Sequence, residues 1–252
     1  MAIYGGVVAS STEQSANLVK SEDAGGQRLG KQTEKALDAI LSHLGELRSA
    51  RPTVLLSENK VGRSQATIRR ILASAQVVFT RDGHAGLSLR KVADDAGIAV
   101  GNLTYHFPTK IELINAMLRE ALAEYVEEHL AQFEADRDAP VDILLNVVEF
   151  YVRNARESHR FFYQLWGFAG SCDDARAMVR DLYRPIGRFI YYLVCAANPK
   201  LTDDEVRQAV LQIFSLEEGY KLFIGMGPDD SSAIRSAEKD IRDLTLRIIQ
   251  AA

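Results

Sequence analysis

The run Ser88-Leu89-Arg90-Lys91-Val92-Ala93-Asp94-Asp95-Ala96-Gly97-Ile98-Ala99-Val100-Gly101-Asn102-Leu103-Thr104-Tyr105-His106-Phe107-Pro108-Thr109-Lys110 holds two short helical patterns joined at one glycine. In the first, Leu89, Val92, Ala93 and Ala96 recur at helical spacing, Ser88 stands where a cap is needed, and Asp94 and Asp95 face away from the stripe. Gly97 supplies the positive φ that a sharp helix stop requires. Ile98 anchors the turn, and Leu103 and Phe107 face inward from the second helix. Val100, Gly101, Asn102, Thr104, Tyr105 and His106 are left on its outer face. Small, polar and aromatic residues there suit contact with a DNA groove.

Upstream, Ile68, Ile71, Leu72, Ala75, Val78 and Phe79 repeat at steps of three and four, so residues 64–81 form an amphipathic helix able to cover the pair. Asp82-Gly83 and Gly86 end that helix and space it from Ser88. Between Lys60 and Lys110 stand eight basic and three acidic residues, whereas the whole chain carries −4. A basic island in an acidic protein is what phosphate neutralisation needs.

The arrangement resembles the amino-terminal domain of the tetracycline repressor (TetR) family of transcriptional regulators. The resemblance rests on Phe79, Gly83, Val92-Ala93, Ala96-Gly97-Ile98, Gly101-Asn102-Leu103-Thr104-Tyr105-His106-Phe107 and Thr109-Lys110. It covers the run from Ile68 to Leu113 and departs from the family pattern twice. Ala99 stands where a capping Ser or Thr is usual, and Thr104 where a Tyr is usual. An Ala cap forfeits about 1 kcal/mol. Tyr105, one place later, is a candidate for the missing phenol's contact.

The resemblance implies an all-α chain, with a three-helix DNA-binding domain followed by a helical domain for effector binding and dimerisation. It places Ser88 and Arg90 at the DNA, Arg90 reaching a base edge, and sets Val100, Gly101, Asn102 and Thr104 against the major groove. Arg matches guanine O6 and N7 in a two-point contact, and Asn matches adenine likewise. Tyr105, His106 and Lys110 then read as phosphate contacts that set register. Alternatives stand beside these roles: Arg90 as a solvated charge, Tyr105 as partly packed core, and His106 as a structural residue before Pro108. Lys91, Arg69 and Arg70 read as solvated charges.

The expected division is a flexible extension over 1–60 with one amphipathic helix (31–48), a DNA-binding domain over 61–109, and a helical domain over 110–252. The extension's helix carries Ala36, Leu37, Ile40, Leu41, Leu44 and Leu47 on one face and ends at Arg51-Pro52. Residues 1–30 are rich in Gly, Ser and charge and read as flexible. Lys60 and Arg63 are candidates for an arm along the phosphates.

After Pro108, helical patterns follow with short breaks: 110–133, 141–157 after a break at Asp138-Ala139-Pro140, 159–169, 173–197 with a kink expected at Pro185-Gly187, 203–224 and 232–250. Thr202 and Glu205 form a capping box. The stripes on the last two helices point to a homodimer through Val210, Ile213, Tyr220, Ile234, Ile241, Leu244 and Ile248, in keeping with the four-helix bundle of the resembled family. An intramolecular helical hairpin is the alternative. A two-fold dimer sets two recognition helices about 34 to 36 Å apart, or wider, over a palindromic double-stranded operator.

Aromatics concentrate between 151 and 192, and Tyr151, Phe162, Trp166, Tyr183 and Phe189 are candidates to line a pocket for an unidentified small-molecule effector, or simply to fill a core. Arg153, Arg156, His159 and Arg160 are candidates for an acidic ligand group or a solvated rim. No phosphate loop, nucleophile elbow or metal-ligand motif occurs, so we expect no enzyme, no catalytic residue, no metal and no cofactor. The rival reading is a helical protein that uses the module for a protein partner. No run of eighteen apolar residues occurs, so the expectation is a cytoplasmic protein with no membrane partner. Cys172 and Cys195 read as buried reduced thiols.

Overall fold

Apolar residues at steps of three and four make helices throughout, and the order of those helices follows from where Pro and Gly interrupt them. The computed structural model describes residues 11–52, 63–135, 139–226 and 232–250, and every regular element among them is helical. The elements are α1 (Ser11–Ser49), α2 (Arg63–Gly86), α3 (Leu89–Asp95), α4 (Val100–His106), α5 (Lys110–Ala135), α6 (Pro140–Ala169), α7 (Asp173–Ala197), α8 (Asp203–Met226), α9 (Ser232–Arg235) and α10 (Ala237–Gln250). Residues 1–10, Lys60 and Asp138, which carry parts of the expectations above, lie outside the described residues.

Helices α2 to α4 close on one apolar centre in which Ile68, Ile71, Val78, Phe79, Val92, Ala93 and Leu103 are fully buried. The cluster does not stop at the module's edge. Leu113, Ile114, Met117 and Leu118 of α5, Phe161, Leu165 and Phe168 of α6, and Ala175 and Val179 of α7 belong to it as well. Phe79 meets Phe161 and Phe168 with ring centroids 5.6 and 6.2 Å apart. Gly83 breaks the helical backbone of α2 at φ 68°, and a Cβ at that position would run into the Gln164 side chain of α6. The glycine therefore serves both the turn and the close approach of the two domains.

A second cluster fills the rest of the molecule, joining α1, the distal part of α5, and α6, α7, α8 and α10. Helix α1 is an integral wall of it: Ala36, Leu37, Ile40 and Leu44 are buried, and His43 Nε2 donates to Pro185 O across 2.9 Å. Arg51 adds a 2.7 Å ion pair to Glu120. The helix starts at Ser11, so it also takes in residues 11–30, which read as flexible from composition. No proline interrupts 11–49, and once the docked turns supply a nucleus each further residue gains a hydrogen bond.

The same reasoning corrects the break expected near Ser158-His159. With no Pro or Gly from 141 to 166, α6 runs unbroken to Ala169. Helix α7 likewise continues through Pro185. At its start Cys172 is exposed, not buried as expected, and its Sγ accepts from Ala175 N. The Thr202 and Glu205 capping box forms as read, with Thr202 N to Glu205 Oε2 at 2.7 Å.

Two stability outcomes follow. Leu44→Ala should lower the unfolding free energy by about 2 to 5 kcal/mol, as for a fully buried leucine, when measured by chemical denaturation; an unchanged midpoint would mean that α1 is not part of the core. Gly83→Ala should cost about 1 to 2 kcal/mol from the positive φ alone.

Candidate nucleic-acid interface and effector cavity

The turn between α3 and α4 is built as its residues dictate. Ser88 Oγ accepts from Lys91 N at 3.2 Å and so caps α3, Gly97 adopts φ 63°, and Phe107 N closes α4 on Leu103 O. Ala99 makes no side-chain cap, leaving the start of α4 on its backbone alone. Leu103 and Phe107 are buried, whereas Arg90, Val100, Gly101, Asn102 and Tyr105 are exposed on one side of the module. Tyr105, at 63% exposure, stands out from the surface, against the partly packed alternative. Thr104 and His106 are half-buried; Thr104 Oγ1 donates back to Gly101 O, and the His106 ring lies beside Tyr105 and Phe107.

Around this face the charges divide. Lys91 is committed to Asp82 at 3.0 Å, and Asp82 also takes Arg81 at 2.8 Å, which holds its carboxyl down at about 2. Lys110 Nζ donates to His84 O at the end of α2, and burial lowers its pKa. This lysine thus closes the end of α2.

The aromatic residues separate into core and cavity. Tyr151, Phe162 and Tyr183 line a small internal cavity of about 30 Å3, together with Tyr125, Phe161, Phe214, Glu217 and Lys221. Trp166 stands behind Tyr183, to whose hydroxyl Nε1 donates at 3.2 Å, and is not part of the lining. Phe189 is core: it stacks on His129 at 5.2 Å, away from the cavity. His129 in turn pairs with the Tyr151 hydroxyl at 2.9 Å, and burial lowers it to about 4, so it is neutral at physiological pH. The cavity lies at the seam of the two clusters, since Phe161 and Phe162 belong with one and Tyr125, Tyr151 and Phe214 with the other.

Two charged residues in the lining escaped the sequence reading. The apolar pattern of α8 suggested a stripe through Val210, Ile213 and Tyr220, but the buried stripe runs Val206, Ala209, Ile213, Glu217, Lys221 and Ile224. Glu217 is 1% exposed, its Oε1 has no hydrogen-bond partner among the described residues, and desolvation pushes it up to about 8. Lys221 is 4% exposed, bonded to Glu218 Oε1 at 2.9 Å, with its ammonium 4.6 Å from the Phe162 centroid and 5.3 Å from that of Tyr151. Charged residues one helical turn apart on a buried stripe were the available signal, and the apolar count passes over them.

The basic cluster after Tyr151 does not reach the cavity. Arg156 binds Glu238 through two bonds of 2.6 and 2.8 Å, and Arg153 pairs with Glu149. Of the expected dimer residues, Ile213 and Ile241 are fully buried within the chain and belong to its core, whereas Val210, Tyr220, Ile234, Leu244 and Ile248 are half-buried. The exposed apolar side of α8 is instead Leu211, Phe223 and Met226, all above 60% exposure. No described helix is long and apolar enough to cross a membrane, and among the described residues no three His, Cys, Asp or Glu come together as a metal site.

Residues 71–117, the span from α2 into the first turns of α5, match the model of bacterial regulatory proteins, tetR family. The helix-turn-helix segment is thus similar to that of the tetR family. The chain is 31% identical over 93 residues to the HTH-type transcriptional regulator CymR of Pseudomonas putida, a match covering 36% of this chain and 46% of CymR. The chain thus spans about half the length of that relative. The fold is shared with a putative transcriptional regulator from Saccharomonospora viridis solved with choline, at TM-score 0.61 and 19% identity, covering 72% of this chain and 95% of the other. It is shared also with FadR from Bacillus subtilis solved with stearoyl-CoA, at TM-score 0.59 and 15% identity, covering 70% and 96%.

The raised Glu217 carries a stability consequence. Between its ordinary value of 4.5 and about 8 the folded chain holds a proton that the unfolded chain has released, so its contribution weakens stability progressively as pH rises through that window. His129 acts oppositely, adding stability as pH rises from about 4 to 6.5. The melting temperature of Glu217→Gln relative to the native chain should therefore climb steadily from pH 5 to 8; a constant difference across that range would show that Glu217 is ionised when the protein is folded.

Proposed function

We propose that this chain is a ligand-responsive transcriptional regulator that binds a palindromic DNA operator as a homodimer and acts as a repressor, without enzymatic activity. One observation carries the reading: α4, whose outer face is exposed, shares a buried cluster with α2 and α6, in which Phe79 of α2 meets Phe161, a residue of the cavity lining. Arg90, Val100, Gly101 and Asn102 serve as the base-reading group with Thr104 beside them in the groove, Ser88 lies at the DNA, and Tyr105, His106 and Lys110 set register on the phosphates. The functional units correspond to 61–109 for DNA and 110–252 for effector and dimer contacts, and α1 belongs energetically with the second.

The cavity's size supplies the mechanism. About 30 Å3 admits roughly one water, so any effector must force the walls apart. Displacing Phe161 shifts its contact with Phe79, and with it the direction in which α2 presents α4. An effector then favours one separation of the two DNA modules, and the difference in its affinity for the two arrangements sets the regulatory response. The solved neighbours bound to choline and to stearoyl-CoA support a small-molecule site in this fold.

For the dimer, α8 and α10 present half-buried Val210, Tyr220, Leu244 and Ile248 beside exposed Leu211, Phe223 and Met226. Burying such a patch against a symmetry mate removes apolar side chains from water on both copies.

Arg90→Ala should weaken the operator complex by about 1 to 3 kcal/mol and relax preference at one base pair, in binding measurements on matched and mismatched fragments at fixed salt. Lys110→Ala should weaken all fragments alike and reduce the salt slope. Equal loss on every fragment for Arg90→Ala removes it from the base-reading group. Phe223→Asp should shift the sedimenting species from dimer to monomer; an unchanged dimer moves the interface elsewhere.

A further inference from the structure

We propose that the internal cavity selects an organic cation, a small apolar molecule bearing an amine or quaternary ammonium group, whose charge is paired by Glu217 and faced by the surrounding rings. The proposal rests on the effector-cavity reading above and names the chemical class of the effector.

The first argument is the state of the polar groups. Glu217 lines the cavity almost fully buried, with Oε1 unpartnered among the described residues. A buried carboxyl oxygen without a hydrogen-bond partner is costly, and burial keeps the group protonated; a ligand that brings a positive charge lets it ionise and removes the cost. A neutral hydrocarbon would satisfy the rings and leave that oxygen as it stands.

Charge balance is the second. Two carboxyls, Glu217 and Glu218, stand beside one ammonium, Lys221, and Lys221 already bonds Glu218. The remaining titratable groups facing Glu217 are phenols: Tyr125 from α5, Tyr151 from α6 and Tyr183 from α7. Burial holds Tyr151 and Tyr183 in the neutral form, so they add no charge. A bound cation brings the set to neutrality with both carboxyls ionised. A bound anion would leave two negative charges in excess with both carboxyls ionised and one even with Glu217 protonated, or would have to strip Lys221 from Glu218.

The third argument is that the cavity already holds a cation in this way. The Lys221 ammonium sits 4.6 Å from the Phe162 centroid and 5.3 Å from the Tyr151 centroid, the contact that a ligand ammonium would make with the neighbouring rings. Space is available next door. A cavity of about 240 Å3, bounded by Leu47 and Ala50 of the α1 end, shares Leu122 and Leu182 with the lining. The proposal requires those two shared side chains to turn aside so that the ring of the ligand extends into the larger space. When the cation enters, the Glu217 carboxyl ionises and its proton passes to solvent, so binding near neutral pH releases one proton.

The test is calorimetric titration of the full chain with phenyltrimethylammonium, its neutral carbon isostere tert-butylbenzene, and phenylacetate, each in two buffers of different ionisation enthalpy at about pH 7. The ammonium probe should bind about tenfold or more tightly than the isostere and release close to one proton. Glu217→Gln should lose both the preference and the proton release while still binding tert-butylbenzene. Equal or tighter binding of the isostere or of phenylacetate, or no proton release by the native chain, overturns the cation assignment and leaves the effector cavity standing. Binding of none of the three at millimolar concentration overturns both. The proton count on the native chain decides the matter even where the variant does not fold.

Discussion

Phe79 lies fully buried against Phe161 and Phe168, and that contact makes one body of what the sequence divides into a DNA module and a helical domain. Close-packed interiors do not deform smoothly, so a displacement on one side of an aromatic contact must reappear on the other. Gly83 enforces the arrangement from the backbone: its positive φ ends the straight part of α2, and its missing side chain admits Gln164 of α6. Helix α6 therefore packs directly on the helix that precedes the α3–α4 turn.

The internal cavity places two charged side chains in the wall of an otherwise largely apolar interior. Glu217 and Lys221 occupy positions of α8 that packing alone would fill with leucine or isoleucine, and both are almost wholly removed from water. Such groups rarely add stability, since desolvation offsets most of the attraction between them. Departures from local consistency of this kind collect where a protein does its work. Their location at the seam between the clusters puts the least comfortable group of the interior beside the rings that couple the two halves.

Much of the helix-turn-helix was legible from residues 88–110, because each step there is local: a serine cap, a glycine stop and inward apolar residues at helical spacing produce the turn whatever surrounds it. The hydrogen bond from Lys110 to His84 O was not legible, since it joins residues 26 positions apart. The cavity was harder. Tyr151, Phe162 and Tyr183 line it as read, whereas Trp166 and Phe189 do not, because periodicity marks a residue as inward without saying which neighbour it meets. Ile213 and Ile241 failed as dimer residues for the same reason: a helix can carry two apolar sides, and the pattern alone cannot tell which one the chain itself covers.

The sequence by itself determined the helical class, the helix-turn-helix and its exposed residues, the capping box at Thr202 and the docking face of α1, all of which depend on neighbours within a few turns. Only the tertiary structure decided that α1 is a wall of the core, that the recognition module shares its apolar centre with α6, and that a buried carboxyl and ammonium stand in the cavity. The division has a physical cause. Caps, stops and amphipathic stripes arise from short-range sterics and hydrogen bonds, whereas the occupant of each buried position is set by packing among segments distant in sequence, where one charge in an apolar stripe matters more than the average of the stripe.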